Sequence, residues 1–226
     1  TDTPRSTHTP TPRPTSTRTP TRRPTATSTP TPTATPTKTA TRTPTPTHTP
    51  TSPPESVLLE PMNYQAQTLN NCGPASIAIL LGYYDHWITQ LTVNEHVPPG
   101  ASPCQIANYF FRYDLRARPY WSPRSDVTPI RLLLANGIPV IANQLLEENS
   151  RIGHYRVIKG YDDASGVFIT DDPLQRKGPD DRLTYEAFDR LSNPGAFIPV
   201  YLPRKDSLVR SLMKEYDVYE ARFCRR

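Results

Sequence analysis

Four residues of this chain have types and spacing that could do chemistry: Gln67, Cys72, His154 and Asp172. Cys72 closes a polar loop within Q-T-L-N-N-C-G-P-A-S (Gln67 to Ser76), and Ile77, Leu80, Leu81 and Tyr84 follow at helical spacing. The pattern predicts a helix over Pro74 to Tyr84 that buries one face. Asn70 and Asn71 are the cap-competent residues before it, and Pro74 sits in the first turn, where a missing N–H costs nothing. A cysteine at the positive end of a helix is biased toward thiolate, its nucleophilic form. Gln67 carries a side-chain amide that could join the Cys72 backbone N–H in holding a developing oxyanion. Taken alone, C-G-P-A reads first as a buried structural cysteine, so the chemistry depends on partners.

Those partners come from Gly153 to Pro173. Tyr155 to Tyr161 reads as a strand, Asp162 to Ser165 as a turn and Gly166 to Thr170 as a second strand, which together predict a hairpin. With the turn centred near Asp163, antiparallel pairing sets His154 opposite Asp172 or its neighbour and turns Asp171 to the other face. A carboxylate on one ring nitrogen would fix the tautomer and orientation of an imidazole whose other nitrogen meets a nucleophile. Singly, His154 fits an ordinary strand histidine and Asp172 a turn cap before Pro173. It is their conjunction with Cys72 that makes them candidates.

Q-T-L-N-N-C-G-P-A-S, a stretch ending A-N-G-I-P-V-I-A, then G-H-Y-R-V-I-K-G-Y-D-D and D-D-P together resemble the stand-alone relatives of the bacteriocin-processing, double-glycine-leader cysteine peptidases, a papain-like group. The resemblance runs from about Leu58 to Leu202. It implies Cys72 as nucleophile, His154 as general base and acid, Asp172 as the orienting residue and Gln67 as the oxyanion amide, with a peptide or protein as substrate. The transporter-linked members of that group carry membrane spans and an ATPase; nothing of either kind occurs here, so a double-glycine leader is not implied. The stretch from Pro203 to Arg226 has no counterpart.

The elements that must position these residues lie in one part of the chain. Residues 1–54 have Thr at every odd position up to Thr51 except Arg5, Arg13 and Arg23, with Pro at about half of the even ones and Ala, Ser, Arg, His and Lys filling most of the rest. Such a repeat cannot build a core, and its prolines favour an extended, solvated backbone. A disordered Thr/Pro stalk is expected, reaching on the order of 150 Å if extended and suited to O-linked sugars. It holds seven Lys/Arg and one Asp, more than the whole net charge of +5, so the remainder is near neutral and nucleic-acid binding is not expected. The basic stalk could still rest on an anionic cell envelope.

Residues 55–226 are expected to form one α+β domain of papain-like plan, a helical part packed on an antiparallel sheet. Further helices are predicted near Pro103–Phe111, Thr128–Asn136, Tyr185–Leu191 and Asp206–Tyr216, and strands near Pro139–Asn143 and Phe197–Leu202. The loops Glu95–Pro103 and Leu115–Asp126, with Arg118, Tyr120 and Trp121, are candidate cleft walls. Cys104 and Cys224 could pair if the chain is extracellular, or both could be buried thiols. No metal cluster, cofactor motif or membrane span is read. The expectation is thus a monomeric cysteine peptidase, extracellular or at the cell surface, whose targeting segment is not in this chain. Two alternatives remain: a non-peptidase acyl hydrolase or transferase of the envelope, and a catalytically silent surface binding module.

Overall fold

The computed structural model describes residues 52–122, 126–192, 196–221 and 224; nearly all of the expected stalk over residues 1–54 lies outside them. Strand β1 (Ser56–Leu58) leads through an irregular segment into helix α1 (Cys72–Gly82). α1 begins earlier than Pro74, so Cys72 is its first residue and Asn71 its N-cap, although Asn71 makes no side-chain cap bond. One buried face was expected, yet every residue from Gly73 to Gly82 is buried, the fate of a helix that is apolar all round. Close approach to α1 needs small residues: a Cβ on Gly73 would stand 2.8 Å from Ile106 Cδ1.

Helices α2 (Gln90–Asn94) and α3 (Pro103–Tyr109) follow. Ser102 and Gln105 form a reciprocal capping box at the start of α3, with Pro103 in its first turn. A 3-10 turn, Phe110–Tyr113, extends it. Strands β2 (Arg116–Ala117) and β3 (Tyr120–Trp121) precede helix α4 (Thr128–Ala135). The sheet is then built from β4 (Val140–Leu145), β5 (Gly153–Asp162), β6 (Val167–Asp172) and β7 (Gly178–Thr184). Helix α5 (Tyr185–Leu191), strand β8 (Ala196–Tyr201), helix α6 (Asp206–Glu215) and strand β9 (Tyr219–Glu220) complete the order.

The strands lie in the order β7-β6-β5-β4-β8-β3-β9, with β1 added to β5 and β2 to β8, and all pairs are antiparallel. Side chains alternate between two apolar clusters. Ile141, Tyr155, Val157, Ile198 and Val200 pack with residues of α1 and α3; Val140, Ala142, Ile158, Phe168 and Phe197 pack with residues of α4, α5 and α6. With both faces covered, β4 and β8 read as near-continuous apolar runs, I-P-V-I-A and A-F-I-P-V-Y. Each large apolar side chain buried there contributes ~1.5–3 kcal/mol relative to exposure.

The hairpin register differs from expectation because the turn lies between Asp162 and Val167, further along than a turn centred near Asp163, and a bulge then moves the pairing back by one residue. The β5/β6 pairing shifts between Ile158 and Gly160, so Lys159 is an extra residue, a β-bulge. Gly160 beside it admits the approach of β1, since a Cβ there would stand 2.3 Å from Val57 O. Beyond the bulge Val157 faces Asp171, so His154 is not directly across from Asp172. The two meet on a diagonal instead.

Cys104 and Cys224 form a disulfide, which resolves the alternatives left open by the sequence. No helix among the described residues is long and apolar enough to cross a membrane.

Candidate active site

Cys72 opens α1, His154 lies near the start of β5, Asp172 ends β6, and Gln67 lies in the loop before α1. Fold contacts bring these segments together. Gln67 N donates to Pro173 O at 2.7 Å, which pins its loop beside the end of β6. Buried Gln90 holds the same loop from the other side: its Oε1 accepts from Thr68 N at 2.7 Å and its Nε2 donates to Ala66 O at 2.7 Å. Sequence reasoning missed Gln90, because nothing in Q-L-T-V-N marks a side chain that substitutes for backbone partners.

His154 Nε2 and Asp172 Oδ1 are 2.7 Å apart, with both side chains buried. Asp172 Oδ1 also accepts from Leu174 N at 2.9 Å. Nε2 is thereby committed, leaving Nδ1 as the ring nitrogen for Cys72, with which His154 shares a hydrogen bond. Cys72 is partly exposed and is the free cysteine of the three. Asp171 faces the other way, against Lys159 Nζ at 3.0 Å.

The electrostatics are those of an ion pair in waiting. Burial disfavours the Cys72 thiolate, but the His154 hydrogen bond and charge, with backbone hydrogen bonds from Tyr155 and Gly73, outweigh it and hold the thiol below its ordinary value. Burial likewise disfavours a charged His154, yet the hydrogen bonds to Asp172 and Cys72 and the Asp172 charge push the imidazole above its ordinary value. Asp172 is opposed by burial too; His154, Arg156 and the Leu174 N–H more than compensate and hold its carboxyl low. Gln67 Oε1 is buried and has no hydrogen-bond partner among the described residues.

Two further buried polar residues adjoin the group. Arg156 Nε donates to Asp172 Oδ2 at 3.1 Å, and Arg156 Nη1 donates to Gln144 Oε1 at 2.6 Å. Both escaped the sequence reading, although His154 and Arg156 are two apart on one strand and so share a face. The proposed cleft residues do not gather here. Tyr120 is a core residue of β3, and Arg118 pairs with Glu220 and Asp206. Arg118 lines a separate cavity of about 830 Å³ with Phe111, Arg116, Arg210, Lys214 and Cys224, which none of the four site residues touches.

No curated protein sequence matches the chain. Among solved structures it is similar to a double-glycine-motif protease of an AMS/PCAT transporter crystallised with its leader peptide, at 22% identity over 63% of this chain and 94% of that one, with a TM-score of 0.47. It is also similar to the peptidase domain of Streptococcus ComA, at 19% identity over 61% and 96%, TM-score 0.49. A third similarity is to xylellain, a cysteine protease from Xylella fastidiosa, at 12% identity over 66% and 86%, TM-score 0.42. The model of the Peptidase_C39-like family matches residues 59–196, which takes in Gln67, Cys72, His154 and Asp172 and more than half of the chain. The chain therefore belongs to the Peptidase_C39-like family.

Proposed function

We propose that this protein is a cysteine peptidase that cuts peptide bonds through Cys72, His154 and Asp172, with Gln67 as oxyanion donor. The observation that carries this is the arrangement of Cys72, at the positive end of α1 and interacting with His154, and of buried Asp172, 2.7 Å from His154 Nε2. Cys72 Sγ attacks the scissile carbonyl carbon, forming a C–S bond. Charge gathers on the carbonyl oxygen, facing the Cys72 N–H and the Gln67 amide. His154 gives its proton to the leaving nitrogen as the C–N bond breaks, leaving a thioester. A water that loses its proton to His154 then adds to the thioester carbon, and cleavage of the C–S bond releases the acid and restores Cys72. Asp172 keeps the imidazole oriented and favours its cation throughout.

Display at a cell surface on the Thr/Pro stalk is part of the same proposal. A disulfide joining Cys104 to Cys224 fits an oxidising compartment, and the stalk composition fits an exposed spacer. The test is digestion of a peptide library by the full chain beside its Cys72→Ala variant. Cleavage by the first and none by the second is expected. Cleavage that survives the substitution would overturn the mechanism, and a Cys72 that alkylates readily while no peptide is cut would favour the silent binding module.

A further inference from the structure

We propose that Arg156 is a positioning residue for the reaction proposed above: it holds Asp172 in the one rotamer that points Oδ1 at His154, and it is itself held by Gln144. The inference rests on the cysteine-peptidase reading of Cys72, His154 and Asp172.

Asp172 has two oxygens and two kinds of work. Oδ1 takes the imidazole and the Leu174 N–H, while Oδ2 takes Arg156 Nε. A carboxylate fixed at Oδ1 alone can still swing about its Cβ–Cγ bond, because that terminal torsion is broad. A donor fixed on the second oxygen removes this freedom. Arg156 supplies such a donor from a planar fork that can bond in two directions at once. Its Nη1 is tied to Gln144 Oε1, and Gln144 Nε2 donates onward to Phe188 O at 2.9 Å and Ser192 Oγ at 2.7 Å. The line therefore ends on backbone and side chain at the C-terminal part of α5 rather than in water.

Burial makes the arrangement stiff. Gln144, His154, Arg156 and Asp172 are 3%, 1%, 3% and 1% exposed, so no solvent is available to replace a lost partner. The strand pairing explains how they meet. Gln144 lies across from His154 on β4, Arg156 follows His154 by two residues on β5, and Asp172 closes β6. Arg156 also repels a proton on His154 by its charge, so its contribution cannot be a simple attraction for the imidazolium. It acts through Asp172.

A buried ion pair that merely stabilised the sheet would behave differently, which is the basis of the test. The readout is the rate of Cys72 carbamidomethylation by iodoacetamide at pH 6 in the full chain, which needs no peptide substrate and so stands apart from the peptidase reading. Arg156→Gln should slow it by about tenfold, and Asp172→Asn by at least as much. The double variant should be slower than Asp172→Asn by less than about threefold, because residues acting through one network are not additive. Because Arg156→Gln leaves Asp172 buried without its cation, Arg156→Lys is made alongside it. Lysine keeps the charge and loses the fork, and should recover part of the rate. Wild-type alkylation by Arg156→Gln, or losses that multiply in the double variant, would overturn the positioning role. Non-additive alkylation together with no peptide cleavage by the wild-type chain would instead retain it and overturn the peptidase reading.

Discussion

Cys72 is held between burial, which favours its thiol, and His154 with two backbone donors, which favour its thiolate. The thiol titrates below its ordinary value and the imidazole above its own, and both shifts favour the thiolate–imidazolium pair over the neutral one. Raising the pH switches reactivity on as Cys72 loses its proton, earlier than an ordinary thiol would. Raising it further removes the His154 proton that the leaving amine needs, later than an ordinary imidazole would lose it. Alkylation of Cys72 followed against pH, beside a small cysteine peptide, checks the first limb; a profile that tracks the peptide would refute the assisted thiolate. Gln67→Ala should lower kcat by ~10²- to 10³-fold with a much smaller change in KM, the usual cost of one oxyanion donor. An effect confined to KM would reassign Gln67 to substrate binding. The place of Cys72 at the start of α1 was legible in sequence because a loop, a small residue and a helix start leave few geometries. Arg156 and Gln144 were not, since a charged or amide side chain within a strand is ordinarily solvated and gives no sign of burial.

In the β5/β6 hairpin, two neighbouring carboxylates have been divided between two faces. Asp172 meets Arg156 and His154, while Asp171 meets Lys159, which also reaches Asp180 at 2.8 Å and Glu60 at 3.1 Å. Their titrations run in opposite directions. The Asp172 carboxyl is held low, so its stabilisation is present above its unfolded value and fades as the pH falls through the folded one. Asp171 is pushed up, with burial the leading cause and Lys159 opposing it, so it favours the fold most below its unfolded value and less as the pH rises through the folded one. Asp171→Ala should therefore appear chiefly as lost stability, about 1–3 kcal/mol by chemical denaturation, since Lys159 keeps two other carboxylates. Asp172→Ala should appear chiefly as lost turnover; the reverse outcome would mean the faces have been assigned wrongly. The alternation that separates the two aspartates was readable from sequence, whereas the direct opposition expected for His154 and Asp172 is replaced by a diagonal. A bulge at Lys159 inserts one residue without any glycine or proline at that position to announce it. β7 was missed for a related reason: G-P-D-D-R-L-T is an edge strand, and edge strands carry charge.

For the molecule as a whole, the Cys104–Cys224 disulfide joins α3 to the end of the chain, across a stretch that holds most of the sheet. Cys104→Ser with Cys224→Ser should lower stability by ~2–4 kcal/mol and Tm by roughly 5–15 °C, measured by calorimetry. An unchanged Tm would mean the bridge constrains nothing. The sequence pointed to one helical part packed on a sheet rather than to a sheet covered on both faces, and it left the pairing of these cysteines open, because spacing alone does not state which thiols approach. The same bridge makes residues 104 to 224 a covalent ring that contains His154, Arg156 and Asp172, while Gln67 and Cys72 hang outside it on the N-terminal arm. No Lys or Arg occurs between Arg42 and Arg112, so trypsin can enter the folded domain only within the ring or at its margin. A first cut at exposed Arg151 then opens the ring without releasing anything. The nicked domain should keep its mass apart from one added water, whatever is trimmed from the Lys/Arg-bearing stalk, and part into two pieces only on reduction. Cys72 and His154 would stay on one molecule through a single proteolytic hit.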